Sequence, residues 1–229
     1  MENSAEIVSQ PTVAILGGTG KEGPGLALRW AYVGFQVIIG SRQKEKAQAV
    51  AAEINLELGN SQVIGMDNAA AARRADICVL TVVQSAHQAA LASLRNDLQG
   101  KILVDATARV DFRDPQPPPA PSAGRLAQQI LGDGVRVVAA LQNVPSHALR
   151  KNLGGQLDTD VLVCADDLKA GEQVISLIAA IGMHGYYAGG LDNAVVVEGI
   201  TALLISINKY YRTKTASIGV TGLGQVDQV

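Results

Sequence analysis

The sequence predicts an α/β fold built on a doubly wound, right-handed parallel sheet, and three observations predict it. Short apolar runs alternate with helical patterns along most of the chain, the rhythm of repeated strand–helix–strand units. Apolar residues make up 48% of the 229 residues, charged residues 17% and aromatics only 3%. A large core built from Ala, Val, Ile and Leu suits parallel strands buried on both faces. The first strand then turns on glycines, in Thr12-Val13-Ala14-Ile15-Leu16-Gly17-Gly18-Thr19-Gly20-Lys21-Glu22-Gly23. Gly18, Gly20 and Gly23 fit G-x-G-x-x-G between a strand and a helix. In that context backbone N–H groups approach a pyrophosphate at a helix N-terminus, so the class is Rossmann-type.

Pro24 to Trp30 forms the body of the first helix, and Gly34 ends it. Phe35 to Gly40 is the second strand, and Ser41 to about Leu58 a helix stopped by Gly59-Asn60. Gln62 to Gly65 is a third strand, and Asp67 caps a helix that ends near Arg74. Asp76 to Val83 is the fourth strand, Gln84 to Asn96 its helix, and Lys101 to Asp105 the fifth strand.

The run Asp114 to Pro121 breaks this rhythm, because proline lacks a donor and fixes φ. It reads as a stiff surface loop, or more sharply as a segment at the mouth of a site. Ala123 to Leu131 returns to helix, Val135 to Leu141 is the sixth strand, and Gln142 to Thr159 is a loop. Asp160 to Ala165, Asp167 to Ile181 and His184 to Ala188 give strand, helix and short strand. Asn193 to Tyr211 is a long apolar helix. Its stripe of Ala194, Val197, Ile200, Thr201, Leu204, Ile207 and Asn208 reads as core or dimer contact rather than ligand wall. Ile218 to Gly224 is a small strand or ordered tail, with fraying expected beyond it.

Composition removes several function classes. A net charge of −2, from 19 basic and 21 acidic residues, gives no basic stripe for nucleic acid. Met1 to Gln10 lacks the apolar core of a signal peptide, and no run elsewhere approaches a membrane span, so a cytoplasmic protein is expected. Cys78 and Cys164 sit in apolar runs and read as buried core residues, with no Cys or His at metal-ligand spacing.

The end of the second strand chooses between the two nicotinamide cofactors: an acid there selects a free ribose 2′-hydroxyl and a base selects a 2′-phosphate. This chain has Gly40-Ser41-Arg42, with Lys46 one helical turn beyond. Arg42 can fork onto phosphate oxygens and Ser41 can donate, so the expected cofactor is NADP(H). Thr19, Lys21 and Glu22 belong to the same cradle. Thr81-Val82-Val83 and Gln142-Asn143-Val144-Pro145 close the fourth and sixth strands, at the carboxyl edge where such sheets bind ligands, and are expected over the nicotinamide.

Of the three histidines, His87 is expected on a helix surface and His184 at an edge strand; only His147, near the loop after the sixth strand, is a functional candidate. Asp166-Asp167 reads as a helix cap. No paired acid and base emerges. That favours transfer between two cofactors over carbonyl reduction, which needs a proton donor. Two other readings stay open: NADPH-dependent reduction of a flavin, ferric chelate or small imine or keto acid, and a non-catalytic NADP(H)-binding or sensing protein.

Gly17-Gly18-Thr19-Gly20 with Gly23, followed by Gly40-Ser41-Arg42 and Lys46, resembles the NADPH-dependent reductases of the deazaflavin coenzyme F420. The likeness continues through Asp160 to Asp167, Ala188-Gly189-Gly190-Leu191, Val197-Glu198 and Ile218 to Leu223. It implies a homodimer, NADP held by Thr19, Ser41, Arg42 and Lys46, and hydride exchange with the deazaflavin in a cleft positioned by Val83, Gln142, Asn143 and Val144. It also implies three parts: a flexible 1–10, an NADP-binding 11–141, and a smaller 142–229 that completes the second-ligand cleft and the dimer contact. The chain has Gln142, Gly190 and Val195 where the family usually has His, Pro and Arg, and all three are expected near the second ligand.

Overall fold

The computed structural model describes residues 10–223. The expectations of a flexible start over 1–10 and of fraying beyond Gly224 concern residues that, except for Gln10, lie outside that range. Strands β1 (Val13–Leu16), β2 (Val37–Ser41), β3 (Val63–Asp67), β4 (Ile77–Leu80), β5 (Ile102–Asp105), β6 (Arg136–Ala139), β7 (Asp160–Ala165) and β8 (His184–Tyr187) form one sheet, ordered β3-β2-β1-β4-β5-β6-β7-β8. The first six pair in parallel. β7 runs antiparallel to β6, and β8 parallel to β7. The expected parallel sheet therefore holds through β6, and the C-terminal strands extend it with one reversal.

The helices are α1 (Gly23–Tyr32), α2 (Lys44–Leu58), α3 (Asn68–Arg74), α4 (Gln84–Leu94), α5 (Ala123–Leu131), α6 (Leu168–Ala179) and α7 (Ala194–Tyr210), the last preceded by a 3-10 turn at Leu191–Asn193. Alternate strand residues feed two cores. Val13, Ile15, Val37, Ile39 and Val79 pack with Leu26, Trp30 and Ile54 on one face; Ala14, Leu16, Ile38, Cys78 and Leu80 pack with Leu91, Leu131 and Val197 on the other. The inner strands β1, β2, β4 and β5 are thus buried on both sides, which is why their sequences are apolar without alternation, whereas β8 at the edge is half-exposed. Cys78 and Cys164 are buried and free, as expected.

Local chemistry sets the helix ends. Asp67 accepts from the Ala70 N–H (2.8 Å), Ser122 from Arg125 (3.0 Å) and Asp167 from Ala170 (2.9 Å). Gly59 closes α2 at φ 66°. The other half of the expected aspartate cap behaves differently: Asp166 accepts from Arg125 (2.6 Å) and from the Leu191 N–H (2.9 Å).

Contrary to the sequence expectation, one stretch, Leu191–Tyr210, is long and apolar enough by composition to cross a membrane. Its Glu198, however, is fully buried and ion-paired to Arg109 (3.1 Å). The segment after it is an ordered tail rather than a strand: the Asp160 N–H donates to Ile218 O (3.0 Å), and the Val220 N–H to the Asp160 carboxylate (2.6 Å).

Candidate functional site

Two features occupy the carboxyl edge of the sheet, beside the point where strand order reverses between β1 and β4. The smaller is a pocket of about 470 Å³ lined by Thr19, Ser41, Arg42, Gln43 and Lys46. Ser41 ends β2 and is buried. Its Oγ accepts the Gln43 N–H at 3.2 Å, which sets the turn that presents Arg42. Arg42 and Lys46 are exposed, and among the described residues neither forms an ion pair. The pocket carries two cations and no acid, a donor set suited to a phosphate monoester.

The glycine turn lies between this pocket and the larger one. A Cβ on Gly23 would collide with the backbone of Gly18, so α1 starts hard against the turn; Gly20 has no neighbour nearer than 3.7 Å and leaves backbone open to a ligand. The Gly17 N–H is held by Asn68 Oδ1 at 3.1 Å, a support from α3 that no sequence motif announces.

The larger feature is a cleft of about 1450 Å³. Gly20, Lys21, Glu22, Thr81, Val82, Val83, Gln142, Asn143, Val144, Pro145 and His147 all line it. Gly18 and Gly23 line neither space and act through packing. The cleft exceeds the roughly 300–1,000 Å³ of a single drug-sized ligand site. Six buried side-chain polar atoms lack a partner among the described residues. Four of them, Glu22 Oε1, Thr107 Oγ1, Gln142 Oε1 and Asn143 Oδ1, belong to residues of this cleft. Natural interiors rarely leave such groups unpaired, so their concentration here makes the cleft the candidate site. Desolvation pushes the Glu22 carboxyl up to about 8.

The walls are braced from behind. Asp105, at the end of β5, takes His87 Nε2 on one carboxylate oxygen (2.6 Å) and the Thr107 N–H on the other (3.0 Å), while its carbonyl accepts from Gln142 Nε2 (3.1 Å). This corrects the placement of His87, which is buried rather than on a helix surface, because Asp105 supplies a partner that the α4 sequence alone does not show. Thr201 on α7 donates to Gln142 O (3.0 Å), and Asn143 Nδ2 to Asp160 O (2.6 Å). Leu141, just before Gln142, sits at φ 76°, a strained conformation for a leucine and one that re-aims the chain into the cleft. Arg29 of α1 is buried and donates to the carbonyls of Leu149, Lys151, Asn152, Gly155 and Ile181, tying down the loop that carries Val144 and His147.

Two expectations need correction. α7 walls the cleft as well as packing in the core: Thr201, Leu204, Ile205, Asn208 and Lys209 line it. Of the three positions expected near the second ligand, only Gln142 lines it; Gly190 caps the 3-10 turn and Val195 lies in the first turn of α7. Residues Ala106 to Arg113 carry no sequence motif that announces them. They form a strap along the cleft, fastened where Glu198 accepts the Arg109 backbone N–H (3.0 Å) and its guanidinium (3.1 Å). The proline-rich run follows this strap, and Lys209 holds Arg113 O at 2.8 Å.

Residues 12–109 match the family model described as NADP oxidoreductase coenzyme F420-dependent. The F420-dependent NADP reductase of Methanothermobacter marburgensis is 39% identical over 222 residues, covering 92% of this chain and 98% of that one. That of Methanocaldococcus jannaschii is 37% identical over 227 residues, with the same coverage. A crystal structure from Arthrobacter sp. FB24, provisionally described as an F420-dependent NADP reductase, superposes with TM-score 0.77 at 26% identity, covering 93% of this chain and all of that one.

Proposed function

The chain belongs to the F420-dependent NADP reductase family, and on that premise we propose that its cleft holds the nicotinamide of NADP(H) against the deazaflavin ring for direct hydride transfer. It is an NADP-dependent oxidoreductase whose redox partner is coenzyme F420. The observation that carries the proposal is the pairing of an acid-free cationic pocket at Arg42 with a cleft large enough for two rings.

In this reading the division of labour follows the residues. Arg42, Lys46, Ser41 and Thr19 hold the 2′-phosphate, and the backbone from Thr19 to Glu22 holds the diphosphate at the start of α1. Thr81, Val82, Val83, Val144 and Pro145 supply a mostly apolar wall that keeps water from the reacting carbons, and the amides of Gln142 and Asn143 orient polar ring edges. When bound, the dihydronicotinamide supplies a hydride that the deazaflavin carbon accepts. The protein then needs no covalent group, only position and dryness. Residues 11–141 act as the NADP-binding part, and 142–229 complete the cleft through α7 and the tail.

We also read the enzyme as a cytoplasmic homodimer. Val196, Ile200, Leu203, Ile207 and Tyr210 form a stripe along α7, Ile200 half-buried and the others exposed, an apolar seam suited to a second copy. The buried ion pair of Glu198 fits a helix packed within a water-dissolved protein better than one in lipid. Steady-state oxidation of NADPH against F420, free flavins, ferric chelates and cyclic imines tests the functional reading. Turnover with F420 alone is expected; turnover with an imine and none with F420 would overturn it.

A further inference from the structure

Two separate turns have to hold one cofactor. On the reading proposed above, the glycine turn after β1 takes the diphosphate, and Gly40-Ser41-Arg42 at the end of β2 takes the 2′-phosphate. A ligand that spans two anchors gains from the second only when the spacing between them matches it. Whatever sets that spacing is therefore part of NADP recognition.

The two turns meet at one side chain. The Gly18 N–H donates to Gly40 O at 2.9 Å, so their backbones already touch. One residue earlier, at φ 72°, the Gly17 N–H donates to Asn68 Oδ1 at 3.1 Å. The same oxygen lies against Gly40, where an added Cβ would fall 2.7 Å from it. Asn68 is itself firmly placed. Ser41 pairs with Asp67 in the β2–β3 ladder, and Asp67 caps α3, of which Asn68 is the first residue. The helix does not need an asparagine there, since it has its cap in Asp67 and asparagine is a poor helix former. Asn68 lines neither the phosphate pocket nor the cleft, so it acts through the turns and not by touching the ligand.

From this we infer that Asn68 is a positioning residue for NADP(H): it locks the diphosphate turn to the 2′-phosphate turn, and the Arg42 contact reaches full strength only while Asn68 holds them in register. The inference rests on the reading that these two turns hold the diphosphate and the 2′-phosphate.

A double-variant cycle on the intact chain tests it. Dissociation constants for NADPH and NADH are measured by titration for the wild type, Arg42→Ala, Asn68→Ala and the pair. Independent sites add, whereas coupled sites do not. Arg42→Ala is expected to weaken NADPH about thirtyfold in the wild-type background but only about threefold beside Asn68→Ala. Asn68→Ala alone should weaken NADPH about tenfold and NADH about threefold or less. Asn68→Asp keeps an acceptor of the same shape for the Gly17 N–H, so beside it the Arg42→Ala penalty should return to about thirtyfold, whatever the added charge does to both cofactors. Gly40→Ala, whose Cβ presses on Asn68 Oδ1, supplies a second cycle and should shrink the Arg42 penalty in the same way. A general loss of stability would weaken both cofactors in the same ratio and leave that penalty untouched. An Arg42→Ala penalty that stays near its wild-type size without Asn68 would overturn the coupling while leaving the phosphate pocket standing. Equal weakening of NADPH and NADH by Arg42→Ala in the wild-type background would overturn both.

Discussion

His87 Nε2 and Asp105 Oδ2 lie 2.6 Å apart with both side chains buried, directly behind the cleft. Through Asp105 the pair ties the first turns of α4 to the strap at Thr107 and to Gln142. His87→Ala would leave a buried Asp105 oxygen without its hydrogen-bond partner, and an unsatisfied buried polar group costs about 1–3 kcal/mol. Urea unfolding at neutral pH measures it. A loss below about 0.5 kcal/mol, the size of an ordinary surface substitution, would show that the pair contributes little.

Arg42→Ala is expected to weaken NADPH by about 2 kcal/mol, roughly thirtyfold, because hydrogen bonds to charged groups contribute about 1.5–3 kcal/mol. NADH, which lacks the 2′-phosphate, should change little. Titration of both cofactors against both proteins decides it, and equal losses would remove Arg42 from the phosphate pocket.

Glu22 should make stability fall with rising pH. Its proton is held up to about pH 8 in the folded state, whereas an unfolded glutamate releases it near its ordinary value of 4.5. Between those limits the native state binds more protons than the unfolded one, so the slope of stability against pH is negative. The contribution is fully present below about pH 4.5 and is lost as pH rises through about 8. Glu22→Gln should match the wild type near pH 4.5 and be more stable near pH 9. Parallel denaturation curves at the two pH values would contradict this.

Arg29→Lys should not rescue Arg29→Ala. The buried guanidinium serves five carbonyls from three directions, and an ammonium cannot reproduce that fork. Each unpaired buried carbonyl costs about 1–3 kcal/mol, so both variants should lose several kcal/mol in chemical denaturation. Full stability in the lysine variant would show that charge alone suffices.

Much of this was legible because it is local. Strand, turn and helix at Thr12 to Tyr32, and the choice of base over acid at Arg42, follow from short-range rules of spacing and residue type. The support network was not legible because its pairs are far apart in sequence: Glu198 with Arg109, Thr201 with Gln142, Arg29 with the loop at Leu149 to Asn152. His87 illustrates the cause, since burial of a polar side chain depends on a partner that only the fold supplies. α7 misled for a related reason. One apolar helix serves core, cleft and open surface at once, and a single periodic stripe does not separate three faces.

The homodimer has its own readout. Leu203→Asp on the exposed stripe of α7 should shift sedimentation from a two-subunit to a one-subunit mass with secondary structure intact. An unchanged mass would place any interface elsewhere.

The central claim, direct hydride transfer in the cleft, is tested most directly by isotope tracing. NADPH carrying deuterium on the transferred face of its ring is mixed with oxidised F420 and the enzyme in ordinary water, and the reduced deazaflavin is analysed by mass spectrometry. Direct transfer predicts one deuterium at the reduced ring carbon with no washout to solvent. Reduced F420 carrying hydrogen from water at that carbon would contradict it.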